Sequence, residues 1–104
     1  MQFSGYQSFI KGLVLAAVLS MTACETAPPV QEMSDARQAI AVAKEAGAEE
    51  LAAFHLKAAE DYLASAEEAL NNRAYSEARR DAKHAKMKAL DALKASESSA
   101  ANDD

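Results

Sequence analysis

Apolar side chains recur along this chain at alternating steps of three and four. The first stretch is Met33, Ala36, Ile40 and Ala43; the second is Leu56, Ala59, Leu63, Ala66 and Leu70, with Tyr62 and Ala69 beside it. The third is Tyr75, Ala78, Ala82, Ala85, Ala89 and Ala92, flanked by Leu90 and Leu93. That spacing gathers residues on one face of an α-helix, whereas a half-buried strand would need strict alternation. Three helices are predicted. The first is capped by Ser34 or Asp35 and is ended or bent by Gly47. The second runs from about Glu50 to Leu70 and stops at Asn71 and Asn72, residues that tolerate the left-handed backbone of a helix end. The third runs from Tyr75 to about Lys94. The fold class is all-α, a short antiparallel helical bundle of two to three helices whose main hairpin covers about residues 50–95.

The flanks read differently. Leu13 to Cys24, LVLAAVLSMTAC, is an uncharged run behind an amino-terminal segment with one lysine, Lys11. It is too short to cross ~30 Å of hydrocarbon comfortably as a permanent helix, which favours a cleaved signal. Cys24 is the sole cysteine, so no internal disulfide can form, and lipidation is the reading that accounts for its position. Glu25 to Glu32 reads as a linker, because Pro28 and Pro29 disfavour a helix running straight out of the cysteine. At about 3.3 Å per residue such a tether reaches ~26 Å at most. After Lys94 comes ASESSAANDD, with little to bury and hence expected to be disordered. The organisation is a signal at 1–23, a lipidated tether at 24–33, a helical domain at 34–95 and an acidic tail at 96–104.

Charge then fixes the hairpin. Between Glu49 and Leu70 six acids face one base, Lys57, while between Arg73 and Lys94 seven bases face three acids. Folding about Asn71 and Asn72 sets Glu67 and Glu68 near Arg79 and Arg80, and Glu60 and Asp61 near Lys86 and Lys88. Each exposed pair contributes only ~0.2–1 kcal/mol, so charge selects the register while the apolar stripe supplies most of the stability. Past residue 23 the chain holds 10 basic against 16 acidic side chains, a balance unsuited to general nucleic-acid binding.

No catalytic residue is assigned. The adjacent acids Glu49 and Glu50, Glu60 and Asp61, and Glu67 and Glu68 point about 100° apart on a helix and read as a solvated face. Ser65, Ser76 and the tail serines lack an arranged base and orienting acid. In the hairpin His55 falls opposite about Ala92 and His84 opposite about Leu63, ~12 Å apart at 1.5 Å per residue, so they cannot share a metal, and no metal ligand set or cofactor is expected. The basic segment of Arg79, Arg80, Lys83, Lys86 and Lys88 is the one candidate contact for an anionic partner, such as headgroup phosphates or peptidoglycan carboxylates. The competing reading is that the acidic second helix neutralises it.

Four resemblances follow from quoted segments. Met21, Thr22 and Ala23 before Cys24 resemble the lipobox of bacterial lipoprotein signal peptides, with Met21 in place of the usual leucine. That resemblance implies cleavage before Cys24 and a diacylglycerol and N-acyl lipid, palmitate among them, on it. The segments ARQAIAVAKEAGAEE (36–50), AAEDYLASAEEAL (58–70) and AYSEARRDAKHA (74–85) are similar to an uncharacterised family of short alanine-rich helical envelope lipoproteins of Gram-negative bacteria. Its domain also occurs ahead of OmpA-like peptidoglycan-binding domains. The stretch from Leu63 to Ala82 resembles a single tetratricopeptide hairpin, short of the three units a solenoid needs. A last likeness is to the alanine-zipper coiled coil of the major outer-membrane lipoprotein, whose terminal lysine is joined to peptidoglycan. Here the chain ends in Asn102, Asp103 and Asp104, so that covalent attachment is not implied. The resemblances imply a non-enzymatic lipoprotein facing the periplasm, anchored to the outer membrane rather than the inner because Glu25 is not the aspartate associated with inner-membrane retention. Its expected partners are the bilayer, an envelope protein or a second copy, with non-covalent peptidoglycan contact as the alternative.

Overall fold

Each of the three apolar stripes becomes a helix, and the seam that joins them is built largely of methyl groups. The computed structural model describes residues 27–102. Among them are α1 (Val30–Glu45), the single turn α2 (Ala48–Leu51), α3 (Ala53–Asn71) and α4 (Tyr75–Asn102), with no strand. This is the all-α bundle expected. The expected signal segment, with Met21, Thr22, Ala23 and Cys24, lies outside the described residues.

α1 begins at Val30, ahead of the expected caps Ser34 and Asp35. Pro29 supplies the N-cap, its carbonyl accepting from the Met33 amide at 3.0 Å, while the Val30 amide donates to the Pro28 carbonyl at 2.9 Å. Pro29 has no amide hydrogen to leave unsatisfied at a helix start, and its own side chain is buried. Starting here also puts Met33 within a formed helix, where it is buried, and Glu32 in a first turn that favours negative charge. Ser34 and Asp35 therefore sit inside α1 rather than capping it, and residues 30–33, expected in the linker, are helical.

Gly47 ends α1 as expected, in the left-handed conformation at φ 88°. α2 follows at once, and Ala52 at φ −148°, ψ 43° breaks the helix so that α3 can reverse direction. The predicted second helix is thus split near Ala52. The turn after α3 differs in its key residue. The left-handed position is Arg73, at φ 61°, and not Asn71 or Asn72. The Ala74 amide reaches the Ala69 carbonyl at 2.8 Å and the Arg73 amide the Leu70 carbonyl at 3.0 Å, the paired bonds of a Schellman motif. Its register is set by the stripe, which must return Leu70 and Ala78 to the same seam.

α4 continues past Lys94 to Asn102, correcting the disordered tail; Asp103 and Asp104 lie outside the described residues. Its buried series Ala78, Ala82, Ala85, Ala89 and Ala92 runs on into Ser96, which is wholly buried. The Ser96 hydroxyl donates to the Ala92 carbonyl at 2.8 Å, so it occupies a seam position without an unsatisfied polar atom.

The core has two parts. Ile40, Ala43, Ala48, Ala52, Leu56, Ala59, Ala89 and Ala92 form one, Met33, Ala66 and Ala82 the other, and half-buried Leu63 packs against both. α4 lies between α1 and α3 in extent of contact, touching both more than they touch each other. Arg37 and Lys44 of α1 pair with Glu67 and Glu60 of α3, in opposite chain order. Glu32 and Asp35 pair with Arg79 and Lys86 of α4, in the same order. α1 is therefore parallel to α4, and α3 is antiparallel to both.

Candidate functional surfaces

These ion pairs revise the electrostatic expectation. Among the described residues no salt bridge joins Glu67 or Glu68 to Arg79 or Arg80, nor Glu60 or Asp61 to Lys86 or Lys88. α1 intervenes, presenting two bases to α3 and two acids to α4. Glu60 and Glu67 of α3, and Arg79 and Lys86 of α4, are thus paired by the first helix, which carries both signs. Opposite signs at Glu32 and Arg79, and at Asp35 and Lys86, are readable from sequence only once the parallel register of α1 and α4 is known.

The basic segment does not form one exposed patch. Arg79 is half-buried, with Nε 3.3 Å from Glu32 Oε1 and Nη2 donating to the Ala27 carbonyl at 3.0 Å. Lys86 lies 4.0 Å from Asp35. Arg80 stays on its own helix, with Glu77 at 4.0 Å and Asp81 at 3.8 Å. Lys83 is exposed and Lys88 half-buried, and neither has an ion-pair partner among the described residues. Ser76, Arg79, Arg80 and Lys83 line a shallow open depression on the outer side of α4.

The two histidines stay apart. His84 packs edge-on against Tyr62 of α3, ring centroids 5.1 Å apart, one position from the Leu63 expected opposite it. His55 meets Phe54, at 5.7 Å. Along α3, His55 precedes Tyr62 by seven residues, ~10 Å at 1.5 Å per residue. Among the described residues no group of three or more His, Cys, Asp or Glu side chains converges on a point that could hold a metal.

Exposed apolar residues are the feature the stripes do not reveal: Val30, Phe54 and Met87 lie off them, and Leu90 flanks the third. Phe54 is 83% exposed on the outer side of α3, beside Lys57 and Asp61. Met87 and Leu90 stand out from α4, 61% and 44% exposed, and Val42 of α1 shares a groove with Leu90 that Lys86 and Asp35 close at one end. Val30 is 72% exposed at the start of α1. Among the described residues no helix is long and apolar enough to cross a membrane.

Fold and surfaces together define a three-helix, alanine-seamed bundle with a one-turn corner. Comparison with family models, with curated proteins and with solved structures yields no match.

Proposed function

We propose that this chain is a lipoprotein of the Gram-negative envelope, acylated on Cys24 and presenting its helical bundle to the periplasm in a non-catalytic structural or protein-interaction role. The observation that carries the reading is the order of segments: an apolar run ends in the sole cysteine, a few polar residues follow, and a self-satisfied bundle begins at Pro29. The resemblance of Met21, Thr22 and Ala23 to a lipobox supports cleavage there, and Glu25 favours the outer membrane. Exposed Phe54, Met87 and Leu90 are suited to contact with an envelope protein or a second copy, since bulky apolar and aromatic anchors supply much of the energy of interfaces. Labelling of cells with a palmitate analogue tests the anchor: wild type incorporates it and Cys24→Ser does not. Equal labelling of both overturns the reading.

A second reading rests on the depression at Ser76, Arg79, Arg80 and Lys83. There the chain is a cell-wall or anionic-ligand binding module, retained by peptidoglycan through the basic side of α4 that includes Lys86 and Lys88. Charge reversal at Lys83 and Arg80, which leaves the Arg79 to Glu32 pair intact, abolishes retention in a pull-down on this reading. Unchanged retention rejects it. An elongated oligomer in hydrodynamic measurements favours a zipper-like spacer over both.

A further inference from the structure

We infer that the bundle stands on end upon the membrane that holds it, with the face made by Val30, Asn71, Asn72, Arg73 and Ser76 against the lipid headgroups and α2 pointing away. The inference rests on acylation of Cys24, and adds to it a defined contact surface and a partner, the phosphate headgroup layer.

The first argument is reach. Arg79 binds the Ala27 carbonyl through Nη2 at 3.0 Å and Glu32 through Nε at 3.3 Å, with side chains of Arg79 and Glu32 about three-quarters covered. The chain is thus pinned to α4 before Pro28. Only three residue steps separate Ala27 from Cys24, ~10 Å of extended backbone. A leash that short holds the start of α1 within reach of the headgroup layer. The start of α4 and the Asn72 to Ala74 turn lie at the same end, because α1 and α4 are parallel and Arg79 pairs with Glu32.

The second argument is composition. The long sides of the bundle carry exposed charge of both signs, Asp61 and Glu68 with Lys57 on α3, and Asp91 with Lys83 and Lys94 on α4. A flat stance would press the carboxylates among them against phosphates. The end face offers two amides, a hydroxyl and exposed Arg73, which has no ion-pair partner among the described residues, with Val30 as an exposed aliphatic beside them; the neighbouring carboxylate, Glu77, lies 4.0 Å from Arg80. Short aliphatics and arginine suit the boundary between headgroup and acyl chain. Arg73 also holds a left-handed backbone that glycine would adopt without strain. In this stance α4, with 28 residues, carries the far end ~42 Å outward at 1.5 Å per residue.

The experiment uses the acylated full chain in vesicles of phosphatidylethanolamine and phosphatidylglycerol. Single cysteines at Ser76→Cys, Phe54→Cys and Lys94→Cys carry a nitroxide, and a nickel chelate on lipid headgroups reports proximity. Strong broadening at position 76 with little at 54 and 94 is expected. Comparable broadening at 94 or 54 means the bundle lies on that side, and weak broadening at all three means it floats free; either overturns the inference. Flotation is scored first: protein that fails to float with vesicles and carries no lipid removes the anchor itself, and the stance with it, whereas floating protein with the wrong pattern removes only the stance.

Discussion

Ser65 on α3 and Asp81 on α4 are joined across the seam, the Ser65 hydroxyl donating to Asp81 Oδ2 at 2.9 Å. Among the described residues Asp81 is the one charged side chain that is buried, and Arg80 Nε at 3.8 Å is too distant to replace that hydrogen bond. Ser65→Ala leaves a covered carboxylate short of a donor and is expected to cost about 1–2 kcal/mol. For a domain of this size that is a fall in Tm on the order of 4–8 °C per kcal/mol, read by circular dichroism. Ser65→Thr, which keeps the hydroxyl, should stay close to wild type.

Arg73 offers the opposite test. Its φ of 61° strains any residue with a Cβ, and the Schellman bonds around it use backbone atoms only. Arg73→Gly is therefore expected to raise stability by about 0.5–1 kcal/mol in chemical denaturation, with Arg73→Ala giving no such gain. Loss of stability in the glycine variant would show that the guanidinium has a structural role absent from this geometry.

The seam should be intolerant of size. Ala85 is wholly buried on α4, while Ala64 is exposed on α3. Ala85→Leu must push α4 off its neighbours and is expected to cost about 1–3 kcal/mol or more, whereas Ala64→Leu should change stability by less than ~0.5 kcal/mol. Thermal melts of the two variants, matched in added volume, separate packing from hydrophobicity.

Ion pairs should rank by exposure. Arg37 and Glu67 are about half exposed at 3.2 Å, and a double-mutant cycle is expected to return ~0.2–1 kcal/mol that shrinks in salt. Arg79 and Glu32, with side chains 26% and 28% exposed, should couple more strongly and resist salt. Equal coupling in both cycles would contradict the clamp assigned to Arg79.

The helices themselves were legible because the 3-and-4 stripe is a direct consequence of helical geometry, and Met33 to Ala43, Leu56 to Leu70 and Ala78 to Ala92 all mark buried faces as read. Ends were less legible. Pro29 was read as a helix breaker, yet a helix's first turn has no use for the hydrogen it lacks. Ser96 looks like tail because its hydroxyl is polar, yet bonded to the Ala92 carbonyl it fills a seam position. Counting charge on two helices mispairs Arg79 and Lys86 because it ignores a third that carries both signs. Val30, Phe54 and Met87 are exposed because they lie off the stripes, a signal that periodicity alone does not weigh, whereas Leu90 flanks the third stripe and is still 44% exposed.

An α4 seam made almost wholly of methyl groups repeats itself every seven residues. Sliding that helix by one heptad would bring alanine opposite alanine again, so the seam alone barely distinguishes the correct alignment from its neighbours. Alignment is encoded instead by the irregular members: Met33, Ile40, Leu56 and Leu63, the Ser65 to Asp81 bond and the Arg79 clamp. A version of this chain stripped of those few residues would keep its helices and lose its place.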